Sequence, residues 1–322
     1  MTRSAAGSAI RIGISSCLLG EEVRYDGGHN QDRFITSALT PFFKCVSVCP
    51  ELAIGLGVPR EPIQLRGSPQ RIRVVGTVTP DLDVTDQLRE YGARMAQELS
   101  DISGYIFKSR SPSCGMERVK LYSHTGSGAP NREGAGQFAD AFMHGQPVLP
   151  VEEEGQLCDP VLRENFIERV FTYKRWQDMI KRGVTAKRLI DFHARHKFSV
   201  LAHGNRAYTQ LGRLVAGAGE RHIDEVAGEY ITGLMSALKK CASRKGHTDV
   251  LQHLQGYLKP LLDAEDKAEM VGIIDEYRLG RVPLVVPITL LRHHFRKYPN
   301  PYVDNQVYLN PHPKELMLRN LI

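Results

Sequence analysis

In the first half of the chain, short apolar runs alternate with polar, turn-rich stretches. "IRIGISSCLLG" (residues 10–20) reads as a buried strand entering a turn at Ser15–Cys17. "FFKCVSVCPE" (residues 42–51) reads as a second β-branched run, stopped by Pro50. In "DVTDQLREYGARMAQELS" the apolar residues Val84, Leu88, Tyr91, Met95 and Leu99 recur at helical spacing, with Asp83 placed to cap them. "ISGYIFKSR" and "QPVLPVEEE" are a third and a fourth strand. Short apolar strands separated by a helical stretch predict an α/β fold with a doubly wound, parallel, Rossmann-like sheet. "SHTGSGAPNREGAG", between the last two strands, reads as a long Gly-rich surface loop, with a lid over a site as the alternative.

"DPVLRENFIERVFTYKRWQDMIKRG" carries Asp159 as N-cap, Pro160 at the first helical position and Gly183 just past its end, a fully punctuated helix that closes the first domain. Beyond it the strand signal disappears. Successive helical patterns, from "TAKRLIDFHARHKFSVLAHG" to the stretch around "ITLLRHHFRKY", predict an all-α domain ending in a Pro-rich tail from Pro299. The expected division is residues 1–182 and 183–322, and there is no internal repeat of fixed period.

Charge follows this division. Residues 1–182 carry 22 Lys+Arg against 22 Asp+Glu; residues 183–322 carry 20 against 14 and hold the whole net charge of +6. A neutral half joined to a basic half suggests chemistry in one and polyanion binding in the other. The basic residues cluster in "HARHK" (Arg195, Lys197), "KKCASRK" (Lys239, Lys240, Arg244, Lys245) and "RHHFRKY" (Arg292, Arg296, Lys297). Any one cluster is ordinarily a solvated helix face; three in one domain favour RNA. No run approaches the roughly 18 apolar residues of a membrane span. With no secretory signal at residues 1–9, the expectation is a cytoplasmic protein without membrane association.

In that compartment six cysteines in 322 residues point to metal binding or chemistry rather than disulfides. Cys17 follows the first strand, Cys49 ends the second, and Cys114 lies in the loop after the third. Ligands of open parallel sheets bind outside the carboxyl ends of strands, so these three thiols are expected over one crevice. Cys45 lies four residues before Cys49, about 13 Å back along the strand, and is expected to be a buried structural thiol. Cys158 follows the fourth strand and is in reach of the crevice, whereas Cys241 reads as passive. Three scattered thiolates suit an iron–sulfur cluster with one open iron, with structural zinc as the competitor. Glu51 and Ser109, at the ends of the second and third strands, add a carboxylate for proton transfer and an orienting hydroxyl. Lys108, Ser113 and Asp26 are candidate substrate contacts, although the glycines beside Asp26 suit a tight turn.

"ISSCLLGEEVRYDGGHN", "CVSVCPELAIGLGVPREPIQL", "FKSRSPSCG" and "GAGQFADAF" resemble the thiouracil desulfidase (TudS) family. "DFHARHKFSVLAHGNRAYTQLGRLVA" resembles a helical domain often fused to it, an arrangement similar to that of tRNA 4-thiouridine desulfidases. The resemblance implies a [4Fe-4S] cluster held by Cys17, Cys49 and Cys114 with one iron free of protein ligands, Glu51 as the catalytic group and Ser109 as the orienting one. Cys45 and Cys158 are outside the family pattern, and a fourth ligand at Cys158 would close the open iron. The implied activity is removal of sulfur from 4-thiouridine in tRNA without net redox change, with no obligatory protein partner. Rival expectations are a desulfidase of free thiouracil or thionucleosides, and a non-enzymatic iron–sulfur sensor or RNA-binding protein.

Overall fold

A computed structural model describes residues 9–320 apart from residue 80 and residues 125–127. The chain forms two compact units, Met1–Asp159 and Pro160–Ile322. The first runs β1 (Ile10–Ser15), β2 (Phe43–Val48), α1 (Pro50–Ala53), β3 (Ile63–Ser68), β4 (Arg71–Gly76), α2 (Thr85–Glu98), β5 (Tyr105–Phe107), β6 (Val119–Tyr122), β7 (Asn131–Gly134), α3 (Gln137–Gly145) and β8 (Val151–Glu153).

The four strands expected from the apolar runs form one sheet in the order β2-β1-β5-β8, and every pairing in it is parallel. All four carboxyl ends therefore face the same edge, which is what the site requires. Ile12, Ile14, Tyr105, Ile106 and Phe107 are fully buried, each apolar side chain contributing about 1.5–3 kcal/mol. Gly13 leaves room for the Tyr105 ring, whose Cδ2 would lie 2.2 Å from an added Cβ. Phe138 and Phe142, one helical turn apart on α3, pack onto this ring layer, with ring centroids 5.0 Å apart for Tyr105–Phe142 and 6.3 Å for Phe107–Phe138. Asp83, expected to cap α2, lies one residue before the N-cap position, which Val84 occupies; its Oδ1 accepts from the Thr85 backbone N–H at 2.9 Å.

A second sheet, β4-β3-β6-β7, was not foreseen. β3 and β4 form an antiparallel hairpin, β6 runs parallel to β3, and β7 is antiparallel to β6. Its signal was the alternation in "RIRVVG", where Ile72 and Val74 are buried between exposed arginines. β7 also occupies part of the supposed Gly-rich loop; residues 125–127 of that stretch lie outside the described residues.

The second unit begins earlier than expected. α4 (Pro160–Lys181) belongs to it. Its Asn165 amide donates to the Leu238 carbonyl at 2.8 Å, and Trp176 stacks on Tyr230 at 5.8 Å. Then follow α5 (Ala186–His203), α6 (Asn205–Ala216), α7 (Ile223–Lys239), α8 (Arg244–Leu258), α9 (Ala264–Arg278), α10 (Val285–Lys297) and α11 (Pro301–Asp304). Thr185, Ser243 and Asp263 cap α5, α8 and α9 by accepting backbone N–H bonds of 3.2, 3.0 and 2.8 Å. The tail beyond Pro299 folds back: Val303, Tyr308 and Leu309 complete the core of α5, α8, α9 and α10.

Candidate active site at the carboxyl ends of the parallel sheet

Three strands of the parallel sheet, β1, β2 and β5, deliver their next residues to one cavity of about 350 Å³. Past β1 comes Cys17, at the start of a short 3-10 turn (Ser16–Leu19). Past β2 comes Cys49, the residue preceding α1, with Glu51 in that helix's first turn. Past β5 comes the segment from Lys108 to Cys114. Cys17, Cys49, Cys114, Glu51, Lys108 and Ser109 all line the cavity. The three thiols are half-buried or buried, and burial pushes all of their pKa values up, Cys17 to about 11.

The Cys114 loop is built from its own hydroxyls and from α3. Ser111 Oγ accepts the backbone N–H groups of Ser113 and Cys114 at 3.2 and 3.1 Å. The first N–H groups of α3 close over the same loop, Gln137 donating to Pro112 O at 3.2 Å and Ala139 to Ser113 O at 3.0 Å. Gly136 permits this approach, since a Cβ there would lie 2.5 Å from the Ser113 backbone. Ser15 Oγ ties the loop to β1 by accepting from Lys108 N at 2.9 Å.

Glu51 is held at both carboxylate oxygens. Arg60 Nε donates to Oε2 at 3.0 Å and its Nη2 makes a second, shorter bond to the same atom. Ser113 Oγ donates to Oε1. Ser109 is held by Glu154, one residue past β8: its backbone N–H donates to Oε2 at 2.6 Å and its hydroxyl to Oε1 at 2.7 Å. Lys108 Nζ bonds the same Oε1 and reaches Ser109 Oγ at 3.2 Å. Two fixed acid–base clusters thus flank the thiols.

Arg60 and Glu154 were missed by sequence reasoning. The strand-end rule that located the thiols also marks Glu154. Arg60 had no comparable signal, because it reaches Glu51 only through the turn at residues 54–59. Of the proposed substrate contacts, Lys108 lines the cavity and Ser113 is buried behind it on Glu51, whereas Asp26 lies outside the lining. Asp26 Oδ1 accepts from Gly28 N at 3.1 Å, a turn-forming bond. Cys45 is half-buried rather than fully buried, Cys158 is exposed, and neither lines the cavity. Among the described residues no group of three or more His, Cys, Asp or Glu side chains converges on the position of a single ion.

The basic clusters divide as well. Arg195, Lys239, Lys240, Lys245, Arg296 and Lys297 are exposed. Arg244 instead donates to Tyr277 O at 2.8 Å, Arg292 bonds Leu309 O, and Lys197 lies 4.8 Å from the Tyr302 ring centroid. Helix packing, not solvent, receives those three.

Residues 12–154 match the 2-thiouracil desulfurase family, and residues 197–313 match a family described as a protein of unknown function, DUF1722. Protein YbbK of Bacillus subtilis (strain 168) is 36% identical over 152 residues, 45% of this chain and 97% of that protein. Protein YbgA of Escherichia coli (strain K12) is 31% identical over 153 residues, 47% of this chain and 90% of that one. The chain belongs to the 2-thiouracil desulfurase family. A solved structure, the [4Fe-4S]-dependent thiouracil desulfidase TudS, is 32% identical and covers 47% of this chain and 94% of its own, with a TM-score of 0.37. The matched segment begins in β1 and ends at Glu154, so it contains every cavity-lining residue described above.

Proposed function

We propose that the first unit hydrolyses the carbon–sulfur bond of 4-thiouridine in tRNA, giving uridine and sulfide. One observation carries this reading: Cys17, Cys49 and Cys114 line the same cavity as Glu51, Lys108 and Ser109, in a chain of the 2-thiouracil desulfurase family.

The donor set fits a [4Fe-4S] cluster. Thiolates are the ligands such clusters take, and three thiols spaced around one wall suit an occupant several ångströms across better than a lone ion. Cys158 lies off the wall, consistent with three protein ligands and an open iron. When bound, the cluster supplies a soft Lewis acid for the thiocarbonyl sulfur.

The chain's own residues supply the remainder. Glu51, its carboxylate fixed by Arg60 and Ser113, takes a proton from the water that adds at the thiolated ring carbon and returns it toward the departing sulfur. Water oxygen replaces sulfur and hydrogen sulfide leaves, so no electrons are exchanged overall. Ser109 and Lys108, held by Glu154, orient the base through its other polar atoms. The exposed Arg195, Lys239, Lys240, Lys245, Arg296 and Lys297 give the second unit a polyanion grip, and presenting a base to the cavity requires it to leave its stack.

A second reading, action on a free thiolated nucleoside, uses the same thiols, Glu51 and Ser109 without the basic face of the second unit. Anaerobic turnover on 4-thiouridine-containing tRNA, 4-thiouridine and 2-thiouracil decides between them. The tRNA reading expects the highest kcat/KM on tRNA, with an affinity that falls steeply as salt rises. Equal kcat/KM on the free nucleoside, or salt-independent tRNA affinity, overturns it.

A further inference from the structure

The turn around Asp26 carries an aromatic ring to the wall of the thiol-lined cavity. Arg24 N–H donates to Gly28 O at 3.2 Å, Gly27 N–H donates to Arg24 O at 3.0 Å, and Arg24 Nε pairs with Asp26 Oδ1 at 3.4 Å. Inside this turn sits Tyr25, the one aromatic side chain in the cavity lining. It is 41% exposed, and its hydroxyl has no hydrogen-bond partner among the described residues. Such a ring adds little to the core; its exposed surface gains only when something apolar and flat covers it.

The ring is exposed but not free to wander. The Tyr25 carbonyl accepts the Arg60 backbone N–H at 2.9 Å, and Arg60 Nη2 donates to Val23 O at 2.9 Å. The Arg24 guanidinium lies over the ring, 5.4 Å from its centroid, and so takes one of its two faces. Arg60 is also the residue that holds Glu51, so the ring and the carboxylate are set in place by the same anchor. Glu51, Lys108 and Ser109 offer polar atoms for the edge of a heterocycle, and Tyr25 alone offers a π face. Stacking on such a face is how proteins hold a base without reading its edge.

We propose that Tyr25 is the stacking wall of the site: its phenol ring lies against the face of the pyrimidine while Ser109 and Lys108 hold the edge. The proposal rests on the desulfidase reading for the identity of the ring. It gives the turn around Asp26 a function, since Asp26 and Arg24 then serve to aim Tyr25 rather than to touch the substrate.

Photo-crosslinking the anaerobically prepared full-length protein with 5-iodouridine, followed by peptide mapping, tests it without turnover. The expected result is saturable labelling at Tyr25 that excess uridine displaces. Kinetics on 4-thiouridine form the second arm. Tyr25→Leu, which keeps the bulk but not the ring, is expected to raise KM about tenfold, more than it lowers kcat, and Tyr25→Phe to restore it. Cluster absorbance equal to that of the wild type verifies that each variant is intact; should Tyr25→Leu lose the cluster, the wild-type crosslink still decides. Labelling at Tyr25 without sulfide from any thiolated uracil would overturn the desulfidase reading and uphold the stacking wall. No labelling, labelling only elsewhere on the chain, or an unchanged KM in cluster-loaded Tyr25→Leu overturns the proposal.

Discussion

Arg60 grips Glu51 through two nitrogens on one carboxylate oxygen, with its Nε donating to Oε2 at 3.0 Å. Its Nη1 and Nη2 also donate to Gly57 O at 2.7 Å and Val23 O at 2.9 Å, so a single guanidinium fixes the carboxylate and two loops around it. A planar fork of five donors can do this; an ammonium cannot. Arg60→Lys is therefore expected to bind the cluster normally yet lose about 10–100-fold in kcat, because Glu51 is no longer aimed. Anaerobic absorbance spectra alongside single-turnover rates check both parts. A wild-type rate in Arg60→Lys would remove the guanidinium from the mechanism.

Glu154 does for Ser109 and Lys108 what Arg60 does for Glu51. Glu154→Ala frees both groups proposed to orient the substrate while leaving Glu51 in place. Its expected signature is a rise in KM of about tenfold, larger than its effect on kcat. A pure kcat effect would instead assign Glu154 to the chemical step.

The ligand assignment separates the cysteines. Cys17→Ser, Cys49→Ser and Cys114→Ser are each expected to lose cluster absorbance and sulfide release. Cys45→Ser and Cys158→Ser, which lie off the cavity, are expected to keep both. Iron content per chain is the check. Loss of the cluster in Cys158→Ser would make it the fourth ligand and close the open iron.

Acid destabilises the helical unit by a calculable route. His196 and His247 are held neutral by burial, with pKa values driven down to about 3, and His193 and His312 to about 4. The unfolded chain titrates these histidines near 6.5, so between there and pH 4 it binds protons that the folded chain refuses. Stability present above pH 6.5 is therefore lost as pH falls, by about 1.4 kcal/mol per pH unit for each fully buried histidine. Trp176, the single tryptophan of the chain, is buried in this unit and reports the transition. Its urea midpoint is expected to fall steadily from pH 7 to pH 5; a flat midpoint would contradict the assigned protonation states.

Much of this was legible in the residues. The centre of the parallel sheet could be read because β5 and β1 from Ile12 onward are buried and appear as apolar runs, whereas β2 and β8 are only partly buried. With the strands known, the carboxyl-end rule collected Cys17, Cys49, Cys114, Glu51 and Ser109 at one edge, where the structure places them. The second sheet escaped because β4 begins with arginines on either side of Ile72, β3 buries only Leu65, and β6 and β7 are only four residues each. The α4 boundary was misplaced because Asp159, Pro160 and Gly183 mark where a helix starts and stops, not which core it joins. Arg244 and Arg292 were grouped with an RNA-facing surface because charge in sequence does not reveal a backbone carbonyl waiting inside.

Sulfide and uridine formed from 4-thiouridine-containing tRNA under anaerobic conditions, by the wild type and by Glu51→Ala at matched cluster absorbance, test the central claim most directly. The account predicts one sulfide per uridine from the wild type and a loss of about 100-fold or more in Glu51→Ala with its spectrum unchanged. No sulfide from any thiolated uracil by cluster-loaded wild type, or full turnover by Glu51→Ala, would contradict it.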